Sequence, residues 1–328
     1  MQVLMESNFW LKYELEVSRP AASSEKESSI ERGNMRLAMP RFMISEHPFP
    51  WLFPLVAMLL VFAVFPLVYN IYLSFHEFAI FKRSLVYVGW DNWLKLFNDT
   101  RLNNALFVNF TYTIVCLSIQ LVLGFLIALL LDTDEKGFGV MRALFSLALV
   151  IPPAITGMLF KLLEDPQFGM FAWLLETFNV LSRDIPILAT PELALIGVMI
   201  ADIWQWTPFV TLIFLAGLRG LPKEPFESAM IDGASQWTIT ARFTIPMLSK
   251  VIAVVVLIRG IDLFRTFDYI FVMTSGGPGI QTYTLSFYTW KLFASSLKWG
   301  YGATLSLLAL IIINVAANLL IKFAKIRW

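Results

Sequence analysis

Four ionisable residues, Arg259, Asp262, Arg265 and Asp268, recur every third position in RGIDLFRTFD, inside an otherwise apolar run. That spacing predicts one drifting stripe on a helix, with each charge beside one of opposite sign. A charge at membrane depth costs about 2.5–3.5 kcal/mol on insertion scales, so such a stripe must face protein or a watery path. Two readings stay open: a zipper of ion pairs between helices, and the lining of a pathway. A second cluster, DIWQWTPF, places Asp202, Gln205 and Thr207 as hydrogen-bonding groups among Trp204, Trp206 and Phe209. Hydroxyl partners beside flat apolar faces suit a sugar ring, and aromatic packing near an interface is the competing reading for each residue singly.

A third stretch, Leu221–Leu248, is a polar island between apolar runs. Pro222 suits a first helical turn, and Glu224 and Glu227 suit a helix N-terminus. Gly233 supplies a left-handed end, Ser235 caps a second helix, and Pro246 is expected to stop it. The prediction is a helix–turn–helix elbow. Phe226, Met230 and Ile231 are apolar on it, which predicts a cover other than water.

Other chemistry is missing. TSGGPG, from Thr274, lacks the Gly-Lys-Ser/Thr ending of a phosphate loop and reads as a tight turn. The chain has only His47 and His76, so no zinc-type histidine pair forms, and no Ser/His/Asp set suggests itself. Any nucleotide hydrolysis would belong to another chain. The single Cys116 lies in an apolar run and reads as a small buried hydrophobe.

The elements that must position these residues are membrane spans. Of 328 residues, 58% are hydrophobic and 15% charged, and the mean hydropathy is +0.69, which marks an integral membrane protein. Its 25 basic residues are matched by 24 acidic ones, so nothing favours nucleic acid. Uncharged runs at 48–75, 102–131, 143–160 and 299–321 approach the ~20 residues that cross a bilayer. Runs 193–218 and 251–273 carry the charges named above. The fold class expected is all-α, with six spans near 50–75, 105–131, 141–163, 193–218, 249–273 and 299–323. Internal prolines are not taken to veto a spanning helix. Residues 1–47 read as a disordered cytoplasmic tail, with later start sites on offer at Met35, Met39 and Met43. With that tail inside, the cytoplasmic segments hold 15 Lys and Arg and the external ones 8, which puts both termini and the elbow in the cytoplasm. Trp90 and Trp93 suit an aromatic belt, and EDPQFGMFAWLLETF suits a short interfacial helix.

The elbow resembles the EAA loop of binding-protein-dependent ABC importer permeases, roughly Glu-Ala-Ala, Asp-Gly-Ala, Ile-Thr-Leu-Pro. Here it reads Glu227-Ser228-Ala229, Asp232-Gly233-Ala234 and Phe243-Thr244-Ile245-Pro246. GWDNW at 89–93, WQWTPF at 204–209, LAGLRGLP at 215–222, FRTFDYIFVMTSGGP at 264–278 and the Thr282–Phe293 stretch extend the likeness to about 50–325. The combination is similar to the carbohydrate branch, first-permease type, as in the maltose and glycerol-3-phosphate systems. Ser228, Pro225, Thr240 and Lys250 depart from the usual pattern.

The resemblance implies the type I ABC importer permease fold and a sugar or polyol as solute. It implies a heterodimer with a second permease, a cytoplasmic ATPase dimer holding ATP and Mg, and an extracytoplasmic solute-binding protein. This chain would bind no cofactor and catalyse nothing, and would sit among the lipids of a bacterial or archaeal inner membrane. Glu227, Ser228, Ala229, Met230, Asp232, Gly233, Ala234 and Pro246 would couple it to the ATPase. Three rivals remain: an ion-coupled secondary transporter using the charged fifth span, an intramembrane enzyme, and a membrane scaffold. Only the first gives the charged stripe a role, and it leaves the elbow unexplained.

Overall fold

The computed structural model describes residues 49–79, 81, 84–133, 135–182 and 184–323; the tail expected over 1–47 lies outside them. The chain divides into two units, Met1–Leu67 and Val68–Trp328.

In the first unit, helix α1 (Phe49–Leu59) passes through a π-helical turn at Leu60–Val64. Pro66 lies just beyond, and its ring would meet the carbonyl four residues back, at Phe62; the wider turn relieves that clash. Helix α2 (Phe65–Ser74) carries the same run onward across the division. The 23 residues Leu52–Ser74 have a hydropathy of 2.5 and a wholly unburied apolar window, which suits lipid contact.

In the second unit α2 is followed by a hairpin, which the all-α expectation does not include. Strands β1 (His76–Ala79) and β2 (Ser84–Tyr87) pair antiparallel, with His76 opposite Tyr87. Their β-branched and aromatic content is too short a signal to stand out beside a membrane span. Helix α3 (Asp91–Lys95) and a 3₁₀ turn (Leu96–Asn98) follow, with Trp90 exposed and the Trp93 Nε1 donating to Ser74 Oγ over 3.3 Å.

Helices α4 (Thr100–Leu131) and α8 (Pro191–Arg219) form the central pair. A Cβ on Gly124 of α4 would lie 2.7 Å from the Val210 side chain, so only glycine permits this approach. Between them the expected third span is broken. Helix α5 (Phe138–Ser146), extended by a 3₁₀ turn to Val150, meets α6 (Pro153–Leu163) at 96°. Here proline does veto the helix. Ile151 and Pro152 each precede a proline and are forced out of the α region, to ψ of +127° and +141°. By contrast Pro208 is accommodated inside α8. Helix α7 (Met170–Thr177) is the short helix expected before α8, with Met170 and Trp173 exposed.

Helices α9 (Glu224–Ile231), α10 (Gln236–Ile239) and α11 (Ile245–Met247) build the elbow segment. The expected fifth span is also not one helix. Helix α12 (Ser249–Phe264) has 16 residues and ends at Arg265, and a π-helical turn resumes at Ile270–Thr274. The freed backbone is satisfied by neighbours: Asn109 Nδ2 donates to Phe264 O (3.1 Å) and Thr284 Oγ1 to Thr266 O (3.1 Å). Irregular backbone at membrane depth is tolerated only when protein supplies such partners. Helix α13 (Leu285–Ala294) and α14 (Trp299–Phe323) complete the unit. By length and hydropathy, four helices qualify as spans among the described residues, or five with the bent pair counted as one.

Candidate functional site

The two helix breaks flank a buried polar cluster. Arg259 on α12 is 1% exposed, and its Nη2 lies 2.8 Å from Asp202 Oδ1 on α8. Arg259 Nε donates to Gln120 Oε1 (3.1 Å), Gln120 Nε2 donates to Asp202 Oδ1 (2.8 Å), and Tyr112 OH donates to Asp202 Oδ2 (3.1 Å). The Trp206 ring centroid stands 4.6 Å from the guanidinium carbon. A buried ion pair persists only when its remaining lone pairs and protons find partners, and here three helices provide them.

A second layer joins the cluster to both breaks. Trp206 Nε1 donates to Tyr269 OH (3.1 Å), Tyr269 OH donates to Gln205 Oε1, and Gln205 Nε2 donates to Ile151 O. Gln205 therefore satisfies the carbonyl released where Pro152 and Pro153 bend the chain.

A cavity of about 300 Å³ opens beside this network, lined by Asp202, Trp206, Arg259, Asp262, Arg265 and Asp268 among others. Of the nine residues singled out for a pathway, these six come together. Three do not line it. Trp204 is 47% exposed with its ring 5.5 Å from Phe160, Gln205 is buried behind, and Thr207 Oγ1 is turned back to Ile203 O at 2.6 Å. The four charges line one cavity but do not form the continuous helical stripe that their spacing predicts. Only Arg259 and Asp262 approach along the chain, at 3.8 Å, because α12 stops before Arg265 and Asp268 can continue the helical spacing.

Tyr112, Gln120 and Tyr269 escaped the sequence reading. A signal existed for the first two: Asn109, Tyr112, Cys116 and Gln120 follow helical spacing along one face of α4, and all four are 0% exposed.

The elbow is shaped locally. Helix α9 begins at Glu224 with Pro225, not Pro222, in its first turn. It ends in a paired closure: Ala234 N bonds to Ala229 O (3.0 Å) and Gly233 N to Met230 O (3.1 Å), with Gly233 at φ +76°. Asp232 N bonds to Ser228 O at 3.0 Å. Ser235 Oγ then accepts from Thr238 N (3.2 Å) to cap α10. Pro246 does not stop the second helix. A π-helical turn at Thr240–Thr244 widens the ladder ahead of it, and Leu248 N still bonds to Thr244 O at 2.9 Å.

Met230 is 51% exposed, Ile231 86%, and Trp237, which the sequence reading passed over, 78%. Ala229 is buried, and the exposed carboxylates of Glu227 and Asp232 make no ion pair among the described residues. Behind α9 lies a cavity of about 580 Å³, with Glu227, Met230, Phe226, Asp132 and Arg219 in its wall. Arg142 donates to the Leu131 and Thr133 carbonyls, capping the C-terminus of α4.

The membrane-length helices α4 and α8, with a charged cavity where α8 meets α6 and α12, suit a membrane transport component. The chain belongs to the family described as binding-protein-dependent transport system inner membrane component, which its residues 120–325 match. It is similar to the trehalose/maltose transport system permease protein of Thermococcus litoralis, with 32% identity over 274 residues, 84% of this chain and 92% of that one. A multiple sugar-binding transport system permease protein of Streptococcus mutans is 28% identical over 281 residues, 84% of this chain and 94% of that one. In fold it is similar to a chain of a bacterial ABC transporter involved in import of the acidic polysaccharide alginate. The TM-score is 0.72 at 20% identity, covering 84% of this chain and 94% of that one. The same transporter type in complex with its alginate pentasaccharide-bound periplasmic protein gives 0.69 at 22% identity, over 84% and 91% of the two chains.

Proposed function

We propose that this chain is one six-span permease subunit of an ATP-driven importer of a sugar or polyol, forming half of the translocation pathway with a second permease. The observation that carries this reading is the elbow, a local bend at Gly233 with Met230, Ile231 and Trp237 exposed at its tip. An apolar tip on a loop between membrane segments needs a protein cover, and a cytoplasmic ATPase dimer, holding ATP and Mg, is the cover proposed. Gly233 and the Ala229–Ala234 closure would fix the bend, Met230, Ile231 and Trp237 would dock, and Glu227, Ser228 and Asp232 would supply polar contacts. Both termini would then be cytoplasmic, and a solute-binding protein would deliver from the opposite face.

The solute reading rests on the 300 Å³ cavity, where Asp262, Arg265 and Asp268, outside the hydrogen-bonded cluster, line the wall beside Trp206. Mixed charge with an aromatic face suits a neutral polyhydroxylated molecule better than an ion. Transport would follow from ATP favouring one of two packings of the pair, since a ligand shifts an equilibrium only by its differential affinity.

The test is reconstitution with the partner permease and the ATPase in liposomes. Labelled sugar uptake that needs ATP and the binding protein is the expected result. Uptake by this chain alone under a proton gradient would instead favour an ion-coupled transporter, with Arg259, Asp262, Arg265 and Asp268 as its relay. That route is disfavoured by the bonds that already hold Arg259, the buried member of the four, to Gln120 and Asp202.

A further inference from the structure

A second polar cavity, of about 300 Å³, lies where α4 begins, between the 3₁₀ turn after α3 and the C-terminal end of α13. Lys95, Arg101, Lys291 and Lys298 surround it, and none of them has an ion-pair partner among the described residues. The one carboxylate present offsets only one of these four charges. Asp99 Oδ1 accepts from the Arg101 and Leu102 amides (2.9 and 3.2 Å), and Oδ2 accepts from Tyr288 OH and Tyr301 OH, both at 2.7 Å. Four bonds fill the acceptor sites of a carboxylate. Burial works to raise the Asp99 carboxyl, and these hydrogen bonds outweigh it and hold the group below its ordinary range, so it stays charged and occupied.

Two of the cations are also held in place. Lys95 Nζ stands 4.6 Å from the Tyr301 ring centroid, and Lys291 Nζ stands 5.0 Å from that of Tyr283 while donating to its hydroxyl. Lys298 follows Leu297, which sits at φ +52°, a costly conformation for a branched residue. A cluster of cations with a net positive charge around a cavity is a site for an anion.

What kind of anion follows from the neighbouring face of the same short segment. Trp90, Leu94 and Phe97, at helical spacing, are 65%, 61% and 83% exposed. A soluble anion needs no such stripe, whereas acyl chains would cover it. We propose that this cavity binds the phosphodiester of an anionic phospholipid, with Trp90, Leu94 and Phe97 beside its acyl chains. The site stands on the membrane location of the chain and not on the elbow's coupling role, so either can fail alone.

The test uses the whole complex in nanodiscs of phosphatidylcholine mixed with phosphatidylglycerol, extracted gently and weighed by native mass spectrometry. Phosphatidylglycerol should remain bound in preference to phosphatidylcholine. Lys95→Gln with Lys298→Gln should weaken that retention about thirtyfold, at ~1 kcal/mol per cation near a membrane surface. Both side chains are exposed, so thermal stability in neutral detergent should change by no more than the small contribution of the Lys95–Tyr301 contact. Leu94→Ser with Phe97→Ser should also lower retention while leaving binding of inorganic phosphate intact. Equal retention of the two lipids, or no change in the lysine variant, overturns the proposal. So does a stripe variant that keeps the lipid while inorganic phosphate displaces it, which would mark a soluble-anion site. A lysine variant that loses only affinity for the soluble binding protein would mark a docking surface and equally overturn it.

Discussion

Every backbone bond that shapes the bend at Gly233 spans five residues or fewer, whereas the bonds on Asp202 join residues 57 to 90 positions apart. The elbow is therefore set by local rules before anything packs, and its side chains at Met230, Ile231 and Trp237 are left over for a partner. The cluster exists only once α4, α8 and α12 have assembled, and its side chains are consumed in holding them. One region spends its chemistry outward and the other inward. Perturbing the cluster should be felt first as stability, and perturbing the elbow as coupling.

The largest effect that could break this contrast is at Asp202. Asp202→Ala leaves the Arg259 guanidinium buried without its counter-ion, for which a loss of about 3–5 kcal/mol is expected, read as thermal unfolding in detergent. Adding Arg259→Gln should recover part of it. If Asp202→Ala is as stable as the parent, the cluster does not hold the helices.

At the elbow, Met230→Ser, Ile231→Ser and Trp237→Ser together should leave unfolding within about 0.5 kcal/mol, since these side chains are exposed. Affinity for the ATPase, measured by co-purification at graded dilution, should fall by roughly tenfold or more, about 1.4 kcal/mol. A matching loss of stability would erase the distinction between the regions.

Glu164 sharpens it from a third position. Both of its carboxylate oxygens are buried without a hydrogen-bond partner, and burial pushes the group up to about 7 from an ordinary 4.5. The folded chain keeps this proton where an unfolded one releases it. Stability should thus fall as pH rises from about 4.5 to about 7 and level off above. Glu164→Gln should flatten that slope, and identical pH profiles would contradict it.

The smallest change is expected at Asp262, whose side chain is 48% exposed and 3.8 Å from Arg259. Asp262→Asn should shift stability by less than about 1 kcal/mol.

How legible each region was follows from the same contrast. Gly233, Ser235 and the apolar tip could be read from residue types because caps and turns act over a few positions. Asp202 and Arg259 announced themselves as costly charges, yet their pairing crosses between helices and no spacing encodes it. Tyr112 and Gln120 formed a polar face on α4 that an overall hydropathy count averages away. The breaks at Ile151 and Arg265 depended on what neighbours could supply: Pro152–Pro153 forces the first locally, but the second rests on Asn109 and Thr284 reaching across to Phe264 and Thr266. Pro246 misled for the converse reason, since a π-helical turn absorbed it.

The central claim is that the bend at Gly233 transmits the ATPase's motion to the spans. At φ +76° a Cβ meets no neighbour within 4 Å, so Gly233→Val strains only the backbone of the bend, by roughly 1–2 kcal/mol or more. Solute-stimulated ATP hydrolysis by the reconstituted complex is the measurement. A fall of about tenfold, within the usual 1–3 kcal/mol of coupling, in a complex that still assembles and loses no more stability than that backbone strain, is the predicted result. Undiminished stimulation in an assembled Gly233→Val complex would contradict the account.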